Sequence, residues 1–267
     1  MYQAEDIGAA RSGHDNAEVA GKPRRSTIPI VGGVLWLLAV ALMVALAFFA
    51  HTHPHPIPFE LATSRAVQAL PVPPPLQAIM RWFTSVNDPI PDSITVVITV
   101  AILALLRKFM AAAFLALSAG LGNLADALIG DVVGRPRPSP GLIHVDSLLK
   151  FNSFPSGHSC HMMVFYGFLL YLSLTPPVRQ WKYHLWLLPL QIYAVVTILI
   201  VGFARIWEGE HWITDVAGGY LDGIIWMVLF IFLYNLATRK LREHRAKKAQ
   251  AQSIAEPGQD KVSTTNV

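Results

Sequence analysis

Long stretches without charge constrain this sequence more than any other feature. Residues 28–50 contain no charged side chain, and a helix of that length crosses the bilayer core of about 30 Å. Only 14% of the 267 residues are charged, whereas soluble domains carry roughly 25%. Because lipid offers no hydrogen-bond partners to the backbone, such stretches fold as helices. The sequence therefore predicts an all-α, polytopic membrane protein.

The apolar pattern divides the chain into three parts. Residues 1–27 have no apolar period and are predicted to be a disordered cytoplasmic tail, and residues 238–267 a basic cytoplasmic tail. Between them lies a six-helix membrane domain, residues 28–237. In its first outer loop, 59–70 and 76–86 have helical spacing around a proline-rich break, which predicts two interfacial helices. The six predicted spans are residues 28–50, 91–106, 109–129, 159–174, 185–203 and 213–237.

The basic residues fix a predicted orientation. With six spans, fifteen of the 21 Lys and Arg residues fall on the side that carries both tails. The positive-inside rule places that side in the cytoplasm. Because the basic residues flank apolar stretches, topology explains the net charge of +4 and no nucleic-acid partner is predicted. The only cysteine, Cys160, excludes an intramolecular disulfide.

Polar clusters at three span ends fall together on the predicted outer face. The first is Gly134-Arg135-Pro136-Arg137-Pro138. Guanidinium groups match phosphate oxygens in pairs and stay charged at working pH. Arg137 and Arg205 are the best candidates to bind a phosphate group, and Arg135 is a further one. The alternative is that these arginines only anchor lipid headgroups, but the positive-inside rule disfavours them on this face.

The second cluster, Pro155-Ser156-Gly157-His158, opens the fourth predicted span. A helix N-terminus offers free N–H groups and a positive dipole end to an anion. Ser156 can cap the helix or donate to a phosphate oxygen, and Gly157 allows close backbone approach. An ordinary serine cap explains all of this except His158, which is suited to protonate a leaving oxygen.

The third cluster is Arg205-x5-His211-x3-Asp215. Residues four apart share a helix face, so Asp215 is placed to accept a hydrogen bond from one imidazole nitrogen of His211. Such a bond fixes the tautomer and leaves the other nitrogen free to attack. One such pair alone is weak support for a site, but two further clusters lie on the same predicted face.

Together, Arg137-Pro138, Pro155-Ser156-Gly157-His158 and Arg205-x5-His211-x3-Asp215 resemble the signature motifs of the type 2 phosphatidic acid phosphatase superfamily, which includes the vanadium haloperoxidases. The resemblance covers residues 28–237. It implies a helical core and a metal-independent reaction without cofactor. It also implies that His211 is the nucleophile forming a phosphohistidine, that Asp215 orients it, and that His158 is the acid. The phosphate-binding residues that it implies are Arg137, Arg205, Ser156 and Gly157.

Two positions depart from the family pattern. The first motif usually begins with lysine seven residues before its second arginine, where this chain has Gly130. Either Arg135 or Lys150 is a candidate to replace that cation. The third motif usually begins Ser-Arg, and this chain has Ala204-Arg205. Neither change touches His158, His211 or Asp215, so catalysis is still expected.

The predicted function is a membrane lipid phosphate phosphatase acting on the outer face. Its candidate substrates are phosphatidic acid, phosphatidylglycerol phosphate and undecaprenyl pyrophosphate. The alternatives are a lipid phosphotransferase using the same phosphohistidine, or a catalytically impaired lipid-phosphate binding protein. The oligomeric state is left open.

Other polar residues are weaker candidates for separate sites. His51, His53 and His55 alternate in a proline-interrupted loop, and three histidines without a further ligand are a weak metal signal. Asp126 and Asp222 lie inside apolar stretches, and acids at such positions are functional candidates by default. No metal is predicted at either place.

Overall fold

The structure, a computed structural model, describes residues 28–255. The predicted N-terminal tail and residues 256–267 lie outside this range. The described residues form α-helices and two short 3-10 turns, with no strand, so the all-α prediction is confirmed. The helices are α1 (Ile28–Thr52), α2 (Pro58–Gln68), α3 (Pro74–Ser85), α4 (Pro89–Leu105), α5 (Phe109–Val133), α6 (Gly157–Leu174), α7 (Leu188–Trp207) and α8 (Ile213–Ala255).

Four helices in the described part of the chain, α1, α5, α7 and α8, are long and apolar enough to cross a membrane. Helices α3 and α4 meet at a bend of 66° and make a fifth crossing if the pair counts as one span. Helix α4 alone has 17 residues, and the 18 residues of α6 begin with a polar turn containing His158 and His161. The number of six spans therefore stays a prediction.

Helix α6 lies at the centre of the bundle and packs against α5, α7 and α8. Its inward residues Met162, Phe165 and Phe168 are almost fully buried and belong to the main apolar core. Glycines let α8 approach closely, because a Cβ at Gly223 would lie 2.7 Å from the Cys160 carbonyl oxygen and one at Gly219 would overlap the Ser156 carbonyl. This contact fixes the start of α6 against the start of α8.

Helices α2 and α3 hold the polar loop that joins α5 to α6. Arg65 donates to the Leu142 carbonyl at 3.2 Å, and Gln68 pairs with the backbone of His144 at 2.8 and 3.1 Å. Arg81 lies 3.3 Å from Asp146. Both predicted helices of the first loop are present, and their location at a membrane interface stays a prediction.

The basic segment after residue 237 begins as helix. Helix α8 runs for 43 residues to Ala255, about 64 Å at 1.5 Å per residue. That length is about twice the bilayer core of about 30 Å. The first part of the predicted basic tail therefore continues the last helix beyond the span instead of starting as a separate segment.

Candidate active site

His211 lies in the turn between α7 and α8 and is 1% exposed. Its Nδ1 lies 2.7 Å from the carbonyl oxygen of Ser153. A carbonyl only accepts, so Nδ1 carries the hydrogen and Nε2 keeps its lone pair. That Nε2 is 3.1 Å from a guanidinium nitrogen of Arg137. The ring is thus oriented with its free nitrogen toward a phosphate-binding candidate.

The environment of His211 also keeps it neutral. Burial, together with the positive charges of Arg137 and Arg205, lowers the pKa of His211 well below its ordinary value. A neutral imidazole is the form that attacks as a nucleophile. The site therefore favours the reactive state of this side chain.

Asp215 lies close to His211 without bonding to it. The distance from Oδ2 to Nδ1 is 3.9 Å. The carboxylate instead accepts from the Ser153 hydroxyl at 2.5 Å, from the Trp212 amide at 2.9 Å and from Arg135 at 2.7 Å. The direct Asp215–His211 hydrogen bond expected from the spacing is therefore replaced by an indirect one, since Ser153 bonds both residues.

Arg135 is fully buried and faces away from any open space. It donates to Glu60 of α2 at 2.9 and 2.7 Å and to Thr214 at 2.7 Å, besides its bond to Asp215. Burial alone would lower the pKa of Arg135, but the two carboxylates raise it, and the same contacts lower the pKa of Glu60 against the effect of burial. Arg135 is thus bound to two carboxylates, whereas the sequence predicted that it binds phosphate.

The other two arginines differ in how their charge is compensated. Arg205 is 3% exposed and lies 3.1 Å from Glu208 and in contact with Glu210. Arg137 donates to the carbonyls of Phe151 and Glu210, each at 3.0 Å, and its nearest carboxylate oxygen, on Glu210, is 3.9 Å away. Burial and the Arg205 charge lower the pKa of Arg137 to about 10, so it stays cationic at neutral pH.

His158 stands in the first turn of α6, and its side chain is 14% exposed. Its Nε2 lies 3.2 Å from Asp88, the residue just before α4. The hydrogen bond from His158 lowers the pKa of Asp88. Asp88 is half-exposed, so this pair is open to the solvent side, unlike His211 and Asp215.

The remaining residues of the second motif divide between the interior and the open side. Ser156 is fully buried; its amide donates to the Asp215 carbonyl at 3.0 Å, and its hydroxyl accepts from Ser159 at 3.3 Å. Gly157 lines open space, and a Cβ there would lie 3.1 Å from Asp126 Oδ2.

A cavity of about 780 Å³ opens beside these residues, and Arg137, Gly157 and His158 form part of its wall. Gly130 and Lys150, the position of the missing lysine and one of its two candidate replacements, line the same cavity. Arg135, the other candidate, does not. The rest of the wall carries several acids and amides, among them Asp88, Asp92, Asn123, Asp126, Asp131 and Asn152.

The three histidines around the end of α1 do not form a metal site, but another group of side chains converges closely enough to hold a metal ion. His51 Nδ1 contacts the Val133 carbonyl at 3.0 Å, and His53 stacks on Phe49, so the three histidines do not converge. Asp126, Cys160 and Asp222 do converge, with one potential ligand atom each within 4.8 Å of the others. In this group the Cys160 thiol donates to Asp222 at 3.3 Å.

Four residues of the site were not predicted from the sequence: Glu60, Asp88, Ser153 and Thr214. Glu60 and Thr214 are 154 positions apart, yet the Thr214 hydroxyl donates to Glu60 and Arg135 donates to both. No periodic or motif signal marks such a pair. Ser153 and Asp88 are closer to recognisable signals, since Ser153 precedes the second motif and Asp88 precedes the proline that opens α4.

Comparison with known proteins supports the family indicated by the motifs. The sequence model of the PAP2 superfamily matches residues 111–239. Phosphatidylglycerophosphatase B of Bacillus subtilis is 30% identical over 131 residues, which are 48% of this chain and 58% of that protein. The bacitracin transport permease protein BcrC of Bacillus licheniformis is 32% identical over 115 residues, 42% of this chain and 49% of that protein. The chain thus spans about half the length of these curated relatives.

A solved structure shares the fold. The crystal structure of a transmembrane PAP2 type phosphatidylglycerolphosphate phosphatase from Bacillus subtilis aligns with a TM-score of 0.62 and 24% identity, covering 77% of this chain and 96% of that one. The motifs, the helical arrangement around them and these matches agree. Within residues 111–239, just under half of the chain, the sequence is similar to the PAP2 superfamily.

Proposed function

We propose that this protein is a lipid phosphate phosphatase that works through a phosphohistidine on His211. The observation that carries the proposal is the state of the His211 ring. Its Nδ1 hydrogen is bound by Ser153, and its Nε2 lone pair lies 3.1 Å from Arg137 on the wall of the cavity. A neutral, oriented imidazole beside an incompletely compensated arginine is suited to attack a phosphate bound to that arginine.

The reaction has two displacements. In the first, Nε2 of His211 forms a bond to phosphorus while the bond to the leaving oxygen breaks. His158 gives its proton to that oxygen, which departs as an alcohol, or as a phosphate if the substrate is a diphosphate. In the second, His158 takes a proton from water as the water oxygen bonds to phosphorus. The N–P bond then breaks and inorganic phosphate leaves.

The phosphate oxygens are bound by Arg137, Arg205 and the amide groups at the start of α6, including Gly157. Charge spread over these oxygens in a loose transition state is what such donors stabilise. Ser156 supports this end of α6 through its buried bonds. Two acids, Glu208 and Glu210, also bind Arg205. We assign Arg135 to another task because one of its two acids is Asp215. It holds Asp215, which holds Ser153, which orients His211.

Lys150 is the proposed replacement for the lysine absent at Gly130. It lines the same cavity as Arg137, and no carboxylate in the described part of the chain forms an ion pair with it. A lysine on a loop provides a point charge without fixed hydrogen-bond geometry. The cavity opens on the side that the basic residues assign to the outer face, so we propose an extracytoplasmic site with both tails in the cytoplasm.

The test is release of inorganic phosphate from dioleoyl phosphatidic acid by the purified protein in detergent. We expect release that persists in EDTA, since the proposed chemistry needs no metal, and that disappears in His211→Ala. His184→Ala, which changes a partly exposed histidine outside the motifs, is the matched control and keeps full activity. Release by His211→Ala at the wild-type rate contradicts the proposal.

A further inference from the structure

The cavity changes in chemistry from one end to the other. At one end are Arg137 and His158, the proposed phosphate end. Beyond them lies a belt of neutral and acidic acceptors formed by Asp92, Asn123 and Asp126. Past the belt, a second cavity of about 470 Å³ shares Asp92, Asn123 and His161, and it is otherwise almost entirely apolar, lined by Ser93, Val96, Val97, Val100, Ala101, Ala104, Ala116, Ala119 and Gly120. The order is cationic, hydrogen-bond accepting and then apolar.

Asp92 is the best defined residue of the belt. It is 6% exposed, yet its Oδ1 has no hydrogen-bond partner among the described residues. Its other oxygen lies 2.8 Å from Nε2 of His161, and Nδ1 of that histidine lies 2.9 Å from the Asn123 side-chain oxygen. His161 thus lies against the carboxylate on one side. Asp92 lines the cavity, and a buried acceptor without a donor is costly.

Asp126 adds a second unpaired acceptor to the same wall. Its Oδ1 is also without a partner in the part of the chain that the structure describes. Among the described residues, neither Asp92 nor Asp126 forms an ion pair with Arg or Lys. The belt therefore offers acceptors to hydroxyl groups.

We propose that the belt formed by Asp92, Asn123 and Asp126 binds a free hydroxyl group on the alcohol that leaves the phosphate. A monoacylglycerol 3-phosphate has this order of groups: a terminal phosphate, a hydroxyl-bearing carbon next to it, and one apolar acyl chain further on. A polyprenyl diphosphate has no such hydroxyl, and its second phosphate presents acceptor oxygens to a belt of acceptors, so neither side finds a donor. The belt thus selects for hydroxyl-bearing monoesters and against diphosphates. This rests on the proposed phosphatase function.

The experiment compares three probes with purified protein in one detergent: 1-oleoylglycerol 3-phosphate, its 2-deoxy analogue built on propane-1,3-diol, and farnesyl diphosphate. For the wild type, we expect kcat/KM to be roughly ten- to a hundredfold higher with the hydroxyl than without it, because the analogue leaves Asp92 unpaired. Farnesyl diphosphate should be the poorest of the three. Asp92→Leu should reduce the hydroxyl effect to less than about threefold and improve farnesyl diphosphate turnover.

Asp131→Leu is the matched control, because Asp131 is an exposed carboxylate on the wall of the same cavity. It should keep the wild-type preference for the hydroxyl. Equal kcat/KM of the wild type for the two monoesters overturns the inference and leaves the phosphatase proposal intact. This comparison needs no variant and so does not depend on the folding of Asp92→Leu. If the wild type releases phosphate from none of the three probes, the proposed function is contradicted instead. Only His211→Ala is expected to behave in that way.

Discussion

The two histidines of the site have opposite surroundings. His211 is almost fully buried, and a chain of contacts runs from it through Ser153, Asp215 and Arg135 to Glu60 on α2. His158 lies on a cavity wall, with a half-exposed carboxylate as its ion-pair partner. The first environment excludes water and fixes one tautomer. The second leaves room for a leaving group and then for water.

This difference follows from the two proposed tasks. A nucleophile benefits from a fixed orientation and a neutral ring, which burial supplies. An acid that later becomes a base has to reach first the leaving oxygen and then a water molecule, so it needs access to open space. Losing the open histidine should therefore affect chemistry at the leaving group, and disturbing the buried contacts should affect stability as well.

The largest predicted effect among the supporting residues belongs to His158. His158→Ala should lower kcat with phosphatidic acid by roughly 10²–10⁴-fold, as loss of general acid catalysis does. In the first turnover, which the second displacement does not limit, the loss of rate should be far smaller with p-nitrophenyl phosphate. Its leaving group departs without needing a proton. Rapid-mixing measurement of p-nitrophenol in the first turnover checks this. An equal first-turnover loss with both substrates contradicts the assigned role.

The buried contacts behind His211 predict a stability effect. Glu60→Gln leaves Arg135 with one carboxylate, and breaking a buried ion pair costs about 3 kcal/mol or more, which lowers the unfolding midpoint by roughly 6–12 °C. Unfolding can be followed with a thiol-reactive fluorophore, because Cys160 is the only cysteine and is fully buried. Glu243→Gln removes one partner of the exposed Arg239–Glu243 pair and should leave the midpoint unchanged. A Glu60→Gln midpoint within error of that control would contradict this account.

Replacing Lys150, on the open side of the site, should have a smaller effect on kcat/KM. Lys150→Gln should lower kcat/KM roughly three- to tenfold, because an exposed charge on phosphate is partly screened. Adding Gly130→Lys to that variant should restore activity. A Cβ at residue 130 would lie 3.4 Å from the Phe154 carbonyl oxygen, which small shifts can accommodate. Lys182→Gln is the control, since that residue lies on the predicted opposite side. Unchanged kcat/KM in Lys150→Gln would rule out the replacement.

The smallest predicted difference is in proton affinity. Because burial and two arginines lower the pKa of His211, it should remain neutral at pH values where an ordinary histidine, with a pKa of 6.5, is half protonated. NMR of protein labelled with 13C-histidine can follow the titration, and His211→Gln identifies the signal among the ten histidines. Titration of His211 at or above pH 6.5 contradicts the predicted direction.

The sequence predicted those parts of the site that depend on local patterns. The motif positions lie at helix ends, and runs of apolar residues locate helix ends. His158 at the start of α6 and Asp215 four residues after His211 follow from such patterns. The same patterns did not decide how far α8 continues, because a basic stretch of good helix formers is compatible with either a helix or a tail.

Long-range contacts could not be predicted. The role of Arg135 depends on Glu60, which lies on a helix 75 positions earlier and is buried only because α2 packs over the site. The hydrogen bond of His211 goes to the Ser153 backbone, since three other donors occupy the Asp215 carboxylate. Such choices between partners are made by tertiary packing, and no spacing within one helix reveals them.

The most direct test of the account is to trap the covalent intermediate. His158→Ala should accumulate phosphoenzyme when mixed with 32P-labelled p-nitrophenyl phosphate, because the first displacement proceeds without an acid and the second lacks its base. We expect a label that is stable in base and labile in acid, as a phosphoramidate is, and that is absent from the double variant His158→Ala/His211→Ala. Persistence of the label in the double variant, or its absence from an active His158→Ala protein, would contradict the assignment of His211 as the nucleophile.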